Sequence, residues 1–246
     1  MKKNKINIAI VGLGNIGSYL YQYLEKNKKI IKKKTNVNLN ILFISARNKK
    51  KNRGFKIPKK KWLRNYLDAT TNKNVDIVVE LIGGSEGAAR KLVFEALKNK
   101  KHVVTANKAL IAKYGDQLST IAEKNKVNLE FEASVAGGIP ILRTIKEGLA
   151  TNRINKVYGI LNGTTNYILS EMENSNETFD KVLQKAQKLG YAEPGNPKLD
   201  LNGFDAFAKI RILSALSFNT KISKSKCIME GIENVKLEDI KIANQL

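Results

Sequence analysis

Ile8-Ala9-Ile10-Val11-Gly12-Leu13-Gly14-Asn15-Ile16-Gly17 lies almost at the chain start and carries a β-branched apolar segment straight into the pattern G-x-G-x-x-G. Helical spacing follows in Ser18-Tyr19-Leu20-Tyr21-Gln22-Tyr23-Leu24, so the glycines fall in a strand-to-helix turn. That order proposes a dinucleotide site. Gly12 allows the tight turn, Gly14 lets the backbone approach a pyrophosphate, and Gly17 lets helix and strand pack closely. The unpaired N–H groups of the first helical turn, at Asn15, Ile16 and Gly17, would face the phosphates. The competing reading is an ordinary glycine-rich turn, and the buried strand before it together with the helix after it argues against that.

The alternation continues outward. Leu39 to Ser45 reads as a second strand, Val75 to Gly84 as a third ending in glycines, and Ser85 to Asn99 as a helix. His102 to Asn107 is a fourth strand, Lys108 to Lys126 a helix interrupted near Gly115, and Val127 to Ala133 a fifth strand. Repeated strand and helix predict an α/β fold with a Rossmann-type, doubly wound parallel sheet, whose ligands gather at the carboxyl ends of the strands. The Gly12–Gly17 turn, Gly83, Asn107, Lys108 and Glu132 all fall at such ends. Cofactor choice is written after the second strand, where NAD sites place a carboxylate for the ribose 2′-OH and NADP sites need cations for the 2′-phosphate. No carboxylate lies between Asn27 and Asp68, so Arg47 and Lys49 are the candidates for a 2′-phosphate. NADP is expected, with NAD possible and a merely solvated lysine loop as the alternative.

Composition bounds the rest. With 246 residues, 42% hydrophobic and 27% charged, the chain can bury one large core or two modest ones. No apolar run approaches the roughly 20 residues that cross a bilayer, so a soluble, cytoplasmic protein with no membrane partner is expected. A single cysteine, Cys227, excludes an internal disulfide and a cysteine metal cluster, and a single histidine, His102, leaves too few ligands for a histidine zinc site. The formal charge of +22 is mostly lysine, scattered in runs such as Lys32-Lys33-Lys34 and Lys49-Lys50-Lys51 without interleaved aromatics. Base readout and stacking favour arginine and aromatics, so specific nucleic-acid binding is not expected, whereas loose attraction to polyanions is.

Farther along, Phe204 to Phe218 makes a helix apolar nearly all round, and such a helix is buried. It carries Asp205 and Lys209 four residues apart, on one face, an arrangement that is costly unless the two pair or meet a polar ligand. A plain buried salt bridge is one reading. Proton exchange is the other, since burial pulls a lysine down from about 10.4.

Four separated blocks decide between them. Thr105-Ala106-Asn107-Lys108-Ala109-Leu110, Glu132-Ala133-Ser134-Val135-Ala136-Gly137-Gly138-Ile139-Pro140, and Gly159-Ile160-Leu161-Asn162-Gly163-Thr164-Thr165-Asn166-Tyr167 resemble the homoserine dehydrogenase family. Gly190-Tyr191-Ala192-Glu193-Pro194, followed by Asp200-Leu201-Asn202-Gly203-Phe204-Asp205-Ala206-Phe207-Ala208-Lys209, is similar to that family's substrate segment. The resemblance implies a reversible, NAD(P)-dependent interconversion of L-aspartate 4-semialdehyde and L-homoserine in threonine and methionine biosynthesis. By the same likeness Lys209 is the proton donor and acceptor, and Lys108 assists in orienting the substrate or stabilising the alkoxide. Glu193, with Asp200 or Asp205, holds the substrate ammonium, which wants negative partners, and Gly163 and Thr164 line the pocket. Asp200 could instead cap a helix, and Thr165 could be an N-cap. The loop Pro194 to Leu199 departs from the family pattern by a residue.

The resemblance also implies a monovalent cation such as sodium, held by Glu132 with the carbonyls of Val135, Gly137 and Ile139; hard oxygen ligands suit such an ion. The expected organisation is a dinucleotide domain over 1–135, a smaller α+β substrate and dimerisation domain over 136–225, and a segment over 226–246 that returns toward the first domain. Within the second domain, Ile154 to Leu161 is expected as a strand and Thr178 to Leu189 as a helix. A homodimer is expected through this domain, its sheet continuing across two subunits. Because Asp239 to Leu246 stops in mid-helix without a cap, the alternative expectation is a truncated, noncatalytic NADP-binding fragment.

Overall fold

The computed structural model describes residues 4–194, 197–222, 227–243 and 245. The unusual loop after Pro194 lies in part outside the described residues, at Gly195 and Asn196, as does the end of the chain at Asn244 and Leu246. Two compact units are present, Met1–Gly148 and Leu149–Leu246, dividing later than the break near residue 135 that the sequence suggests.

The first unit runs β1 (Lys5–Val11), α1 (Asn15–Lys26), α2 (Lys28–Thr35), β2 (Asn38–Ser45), α3 (Asp68–Thr71), β3 (Ile77–Glu80), α4 (Ala88–Lys98), β4 (His102–Thr105), α5 (Lys108–Asn125), β5 (Leu129–Glu130) and α6 (Ile141–Arg143). Its five strands form one parallel sheet in the order β2-β1-β3-β4-β5. β1 lies inside the sheet, between β2 and β3, and its apolar run is continuous rather than alternating: Ile8, Ala9, Ile10 and Val11 are all buried. Ile8 and Ile10 share a cluster with Leu13, Tyr21, Ile41, Ile44 and Val79. α4 packs on β3, β4 and α5, burying Leu92, Val93, Leu97, Leu110 and Ile111, at about 1.5–3 kcal/mol for each large side chain taken out of water.

Two local expectations are corrected here. α5 runs unbroken through Gly115, which is buried inside it; the roughly 1 kcal/mol that glycine loses against alanine in a helix is small beside the burial of Leu110, Ile111 and Leu118. The fifth strand stops at Glu130, because Phe131 leaves the extended region and Glu132–Ser134 form a 3₁₀ turn.

The second unit is built on α7 (Gly163–Ser175), α8 (Phe179–Leu189), α9 (Lys198–Leu201), α10 (Phe204–Ser217) and α11 (Leu237–Ala243). Ile168 and Met172 of α7, Val182 and Ala186 of α8, Ala192 and Leu201 make its core. The strand expected over Ile154 to Leu161 is not formed: residues 153–162 have no ladder partner among the described residues, and Tyr158 and Ile160 stand 83% and 77% exposed. β-branched and aromatic residues favour extended backbone only when a neighbouring strand supplies the pairing. Among the described residues no helix is long and apolar enough to cross a membrane.

Candidate functional site

In the first unit the glycine turn shows why each of its three glycines is there. Gly12 has φ +107°, and a Cβ on it would lie 2.3 Å from the Leu81 carbonyl oxygen, so the turn and the end of β3 touch backbone to backbone. A Cβ on Gly17 would fall 2.0 Å from the Gly12 oxygen, so any side chain there would push α1 off the turn. Gly14 differs. Its backbone is ordinary, and a Cβ there would meet nothing within 4 Å of the protein. The fold does not need a glycine at 14. α1 starts without a side-chain cap, with Asn15 and Ile16 exposed, so its first-turn amides keep the character of an anion site.

The basic loop after β2 is arranged less simply than its composition suggests. Arg47 is exposed, but the Lys49 ammonium donates to the Leu63 carbonyl at 2.7 Å. Arg53, which the sequence reading passed over, anchors the loop. Its guanidinium donates to the carbonyls of Leu13 (3.2 Å), Lys51 (2.9 Å) and Asn48 (2.7 Å) and lies 5.7 Å from the centre of the Trp62 ring. It thereby ties the loop to the glycine turn, beside a cavity of about 130 Å³ lined by Lys49, Lys51 and Trp62. A lysine-rich run gives no hint of which cation takes such a place; only the forked donor geometry of arginine could have marked it.

At the next strand ends, Gly83 donates its amide to the buried carboxylate of Glu80, and Asn107 caps α5 by accepting from the Leu110 amide at 3.1 Å. Lys108 is the first residue of that helix and is half-buried. Glu86, in the loop before α4, is held by Lys113 at 2.7 Å and by the Tyr114 hydroxyl. The Lys113 and Tyr114 hydrogen bonds hold its carboxyl below the usual carboxylate value.

In the second unit no residue of α10 is fully exposed, as an all-round apolar helix requires. On it Lys209 Nζ lies 2.7 Å from Asp205 Oδ2, with side chains 17% and 4% exposed. The lysine also donates to the Leu161 carbonyl at 2.7 Å. Asn162, buried, donates from Nδ2 both to Asp205 Oδ2 and to Asp200 Oδ1, each at 2.8 Å, while its Oδ1 accepts the Thr165 amide and caps α7. Lys209, Asp205 and Asp200 are thus one cluster, with Asn162 as the hub. Asp200 sits within α9 rather than capping it, and Asn162 rather than Thr165 caps α7. Thr164 donates to the Tyr191 carbonyl at 2.7 Å, and Gly163 is exposed at the start of α7. Glu193 is exposed and stands outside these bonds, its carbonyl accepting from Gln187. Asn162 lies within a quoted motif, yet sequence reading weighed its segment for its backbone; N-cap spacing to Thr165 was the available signal.

Glu132 uses both carboxylate oxygens on backbone amides, Oε1 accepting from Leu142 and Oε2 from Arg143, each at 2.8 Å. Val135 is buried and Ile139 exposed, and the Ile139 carbonyl accepts the Ile141 amide. A cavity of about 440 Å³ is lined by Glu132 together with Glu130, Phe131, Leu142 and Lys146.

Comparison with known proteins also finds two parts, meeting between residues 132 and 140, earlier than the Gly148 limit of the first compact unit. The family model described as "Homoserine dehydrogenase, NAD binding domain" fits residues 12–132, and the one described as "Homoserine dehydrogenase" fits residues 140–246. The homoserine dehydrogenase of Neisseria gonorrhoeae is 43% identical over 241 residues, covering 98% of this chain and 55% of that protein. The crystal structure of a homoserine dehydrogenase from Thiobacillus denitrificans is 41% identical with a TM-score of 0.88, covering 98% of this chain and 55% of that one. A hyperthermophilic archaeal homoserine dehydrogenase solved in complex with NADPH is 26% identical with a TM-score of 0.80, over 94% of this chain and 75% of that one. The chain therefore spans about 55% of the length of the curated relatives it matches.

Proposed function

The chain belongs to the homoserine dehydrogenase family, and from that premise we propose that it interconverts L-homoserine and L-aspartate 4-semialdehyde with a nicotinamide cofactor, as a cytoplasmic, homodimeric enzyme of threonine and methionine biosynthesis. The observation that carries this is a lysine held among carboxylates on a buried helix, Lys209 with Asp205 and, through Asn162, Asp200.

The bound cofactor would supply the acceptor or donor of the hydride. The open space at Gly14 and the amides of Asn15, Ile16 and Gly17 fit its pyrophosphate. NADP is the favoured form, in keeping with the NADPH bound by the archaeal relative. Arg47 is the freer candidate for the 2′-phosphate, because Lys49 would first have to leave the Leu63 carbonyl. Gly83 and Lys108, at the ends of β3 and β4, complete the residues expected along the cofactor.

An ammonium has three donors, and two from Lys209 go to Asp205 and to Leu161. The third is the one a substrate oxygen would receive, giving the proton to the developing alkoxide in reduction and recovering it in oxidation. Asp205, buried and engaged twice over, holds Lys209 in place; Asp200 and the exposed Glu193 are the carboxylates better placed to grip the substrate ammonium, beside Gly163 and Thr164. Lys108 would assist by orienting the substrate or stabilising the alkoxide. A sodium ion at Glu132, Val135, Gly137 and Ile139 would share the Glu132 oxygens with the amides of Leu142 and Arg143. The backbone of residues 153–162, which joins no strand among the described residues and exposes Tyr158 and Ile160, is the segment for which a second copy would supply a ladder.

Steady-state oxidation of homoserine with NADP and with NAD tests the proposal. Turnover by the unmutated chain, lost in Lys209→Ala while cofactor binding survives, is the expected result. Cofactor binding without turnover in the unmutated chain would mark a nucleotide-binding fragment instead.

A further inference from the structure

Glu80 is the last residue of β3, and none of it is exposed. A carboxylate buried so completely is unfavourable unless donors surround it. Three do: the amides of Ile82 (2.8 Å) and Gly83 (3.0 Å) donate to Oε1, and the Thr105 hydroxyl donates to Oε2 at 2.5 Å. The Thr105 oxygen in turn accepts the Asn107 amide at 3.0 Å. Asn107 reaches back to the Gly84 carbonyl with Nδ2 at 2.7 Å, while its Oδ1 caps α5. These bonds close a ring through the end of β3, the end of β4, the start of α5 and the loop Ile82–Gly84.

The loop so held has a particular neighbour. The Leu81 amide donates to the Val11 carbonyl at 2.8 Å, and the Leu81 carbonyl is the atom that forbids a side chain on Gly12. Strand order reverses on either side of β1, and in such sheets the ligand lies at that switch point, which here falls between the glycine turn and Ile82–Gly84. Burial alone asks for no charge here, since well-packed apolar groups replace buried ionic ones at little cost. We propose that Glu80 is a positioning residue for the nicotinamide cofactor, fixing the Ile82–Gly84 loop and, through Thr105 and Asn107, the start of the helix that carries Lys108. This rests on the cofactor reading above.

Glu80→Gln keeps the volume but offers one acceptor oxygen where three donors converge. Titrating NADPH by energy transfer from the single tryptophan, Trp62, should show affinity about tenfold weaker than in the unmutated chain, the loss expected for a buried group left badly paired. Thr105→Val should weaken binding similarly, and Thr105→Ser, which keeps the hydroxyl, should restore it; where Glu80→Gln gives no folded protein, this pair carries the test. A purely structural role predicts that the affinity of each variant, Thr105→Ser included, simply follows its melting temperature, and that result overturns the proposal. Unchanged affinity in Glu80→Gln and Thr105→Val overturns it too. If the unmutated chain fails to bind NADPH, the cofactor reading falls first and this inference with it.

Discussion

The glycine turn of the first unit and the α10 cluster of the second solve opposite problems. The turn works by omission: Gly12 and Gly17 leave room for neighbouring backbone, and Gly14 leaves its space open. The cluster works by retention, keeping an ammonium and a carboxylate on a helix from which apolar neighbours would ordinarily exclude them. The first kind of site should fail when a methyl is added and the second when a charge is removed. The sharpest experiments make one change of each kind and ask which property moves.

Removing the charge should have the largest effect. Lys209→Ala is expected to lower turnover of homoserine by at least about a thousandfold, within the range for loss of a general acid and base, with NADPH affinity changed little. A fall in affinity as large as the fall in turnover would mean that the cluster shapes the fold rather than the chemistry. Adding a methyl in the wrong place comes next. Gly12→Ala, with a left-handed backbone and a carbonyl oxygen where the methyl must go, should cost about 3 kcal/mol of stability, read as a lower denaturation midpoint. Asp205→Asn should follow at about 2 kcal/mol, because Lys209 then faces a neutral partner in a mostly buried setting.

The same contrast explains what could be read from the chain before its structure. Omission leaves a mark in sequence: a strand, three glycines at fixed spacing and a helix were enough to place the turn, and the period of Phe204 to Ser217 was enough to bury Asp205 and Lys209 on one face. Retention by partners leaves little. Asn162 joins Asp200 and Asp205 across about 40 residues of chain, Arg53 reaches Leu13, and Glu80 meets Thr105, and each pairing exists only once the chain has folded. The strand expected at Ile154 to Leu161 failed for a related reason. Its residues favour extended backbone, but the ladder depends on a neighbour that the local sequence does not specify.

Gly14→Ala separates the two regions most cleanly, with a smaller effect. Gly14 has an ordinary φ of −75° and open space where the Cβ would sit, so the melting temperature should hold while NADPH affinity drops about tenfold, or 1.4 kcal/mol. Equal affinity would show that no ligand approaches the turn at that point.

The smallest expected effect is a pH response in the helix that follows the glycine turn. Glu25 of α1 lies 2.7 Å from Lys28 and 2.9 Å from Lys61, the latter joining the helix to the segment after β2. Burial works to raise its carboxyl, but the hydrogen bonds and charges of the two lysines outweigh burial and hold it below the usual value. A carboxyl whose folded value lies below its unfolded one stabilises fully above the unfolded value, near about 4.3, and loses that contribution as the pH falls through the folded value. The partners are partly exposed and screened, so Glu25→Gln should cost less than about 1 kcal/mol at neutral pH, a shift of at most about 4 °C in a chain this size. The gap between variant and parent should close as the pH drops below the carboxylate range, and added salt should narrow it at neutral pH. A deficit that persists in acid would mean that Glu25 acts through packing against Tyr21 and its neighbours, which would make α1 another element held by fit rather than by charge.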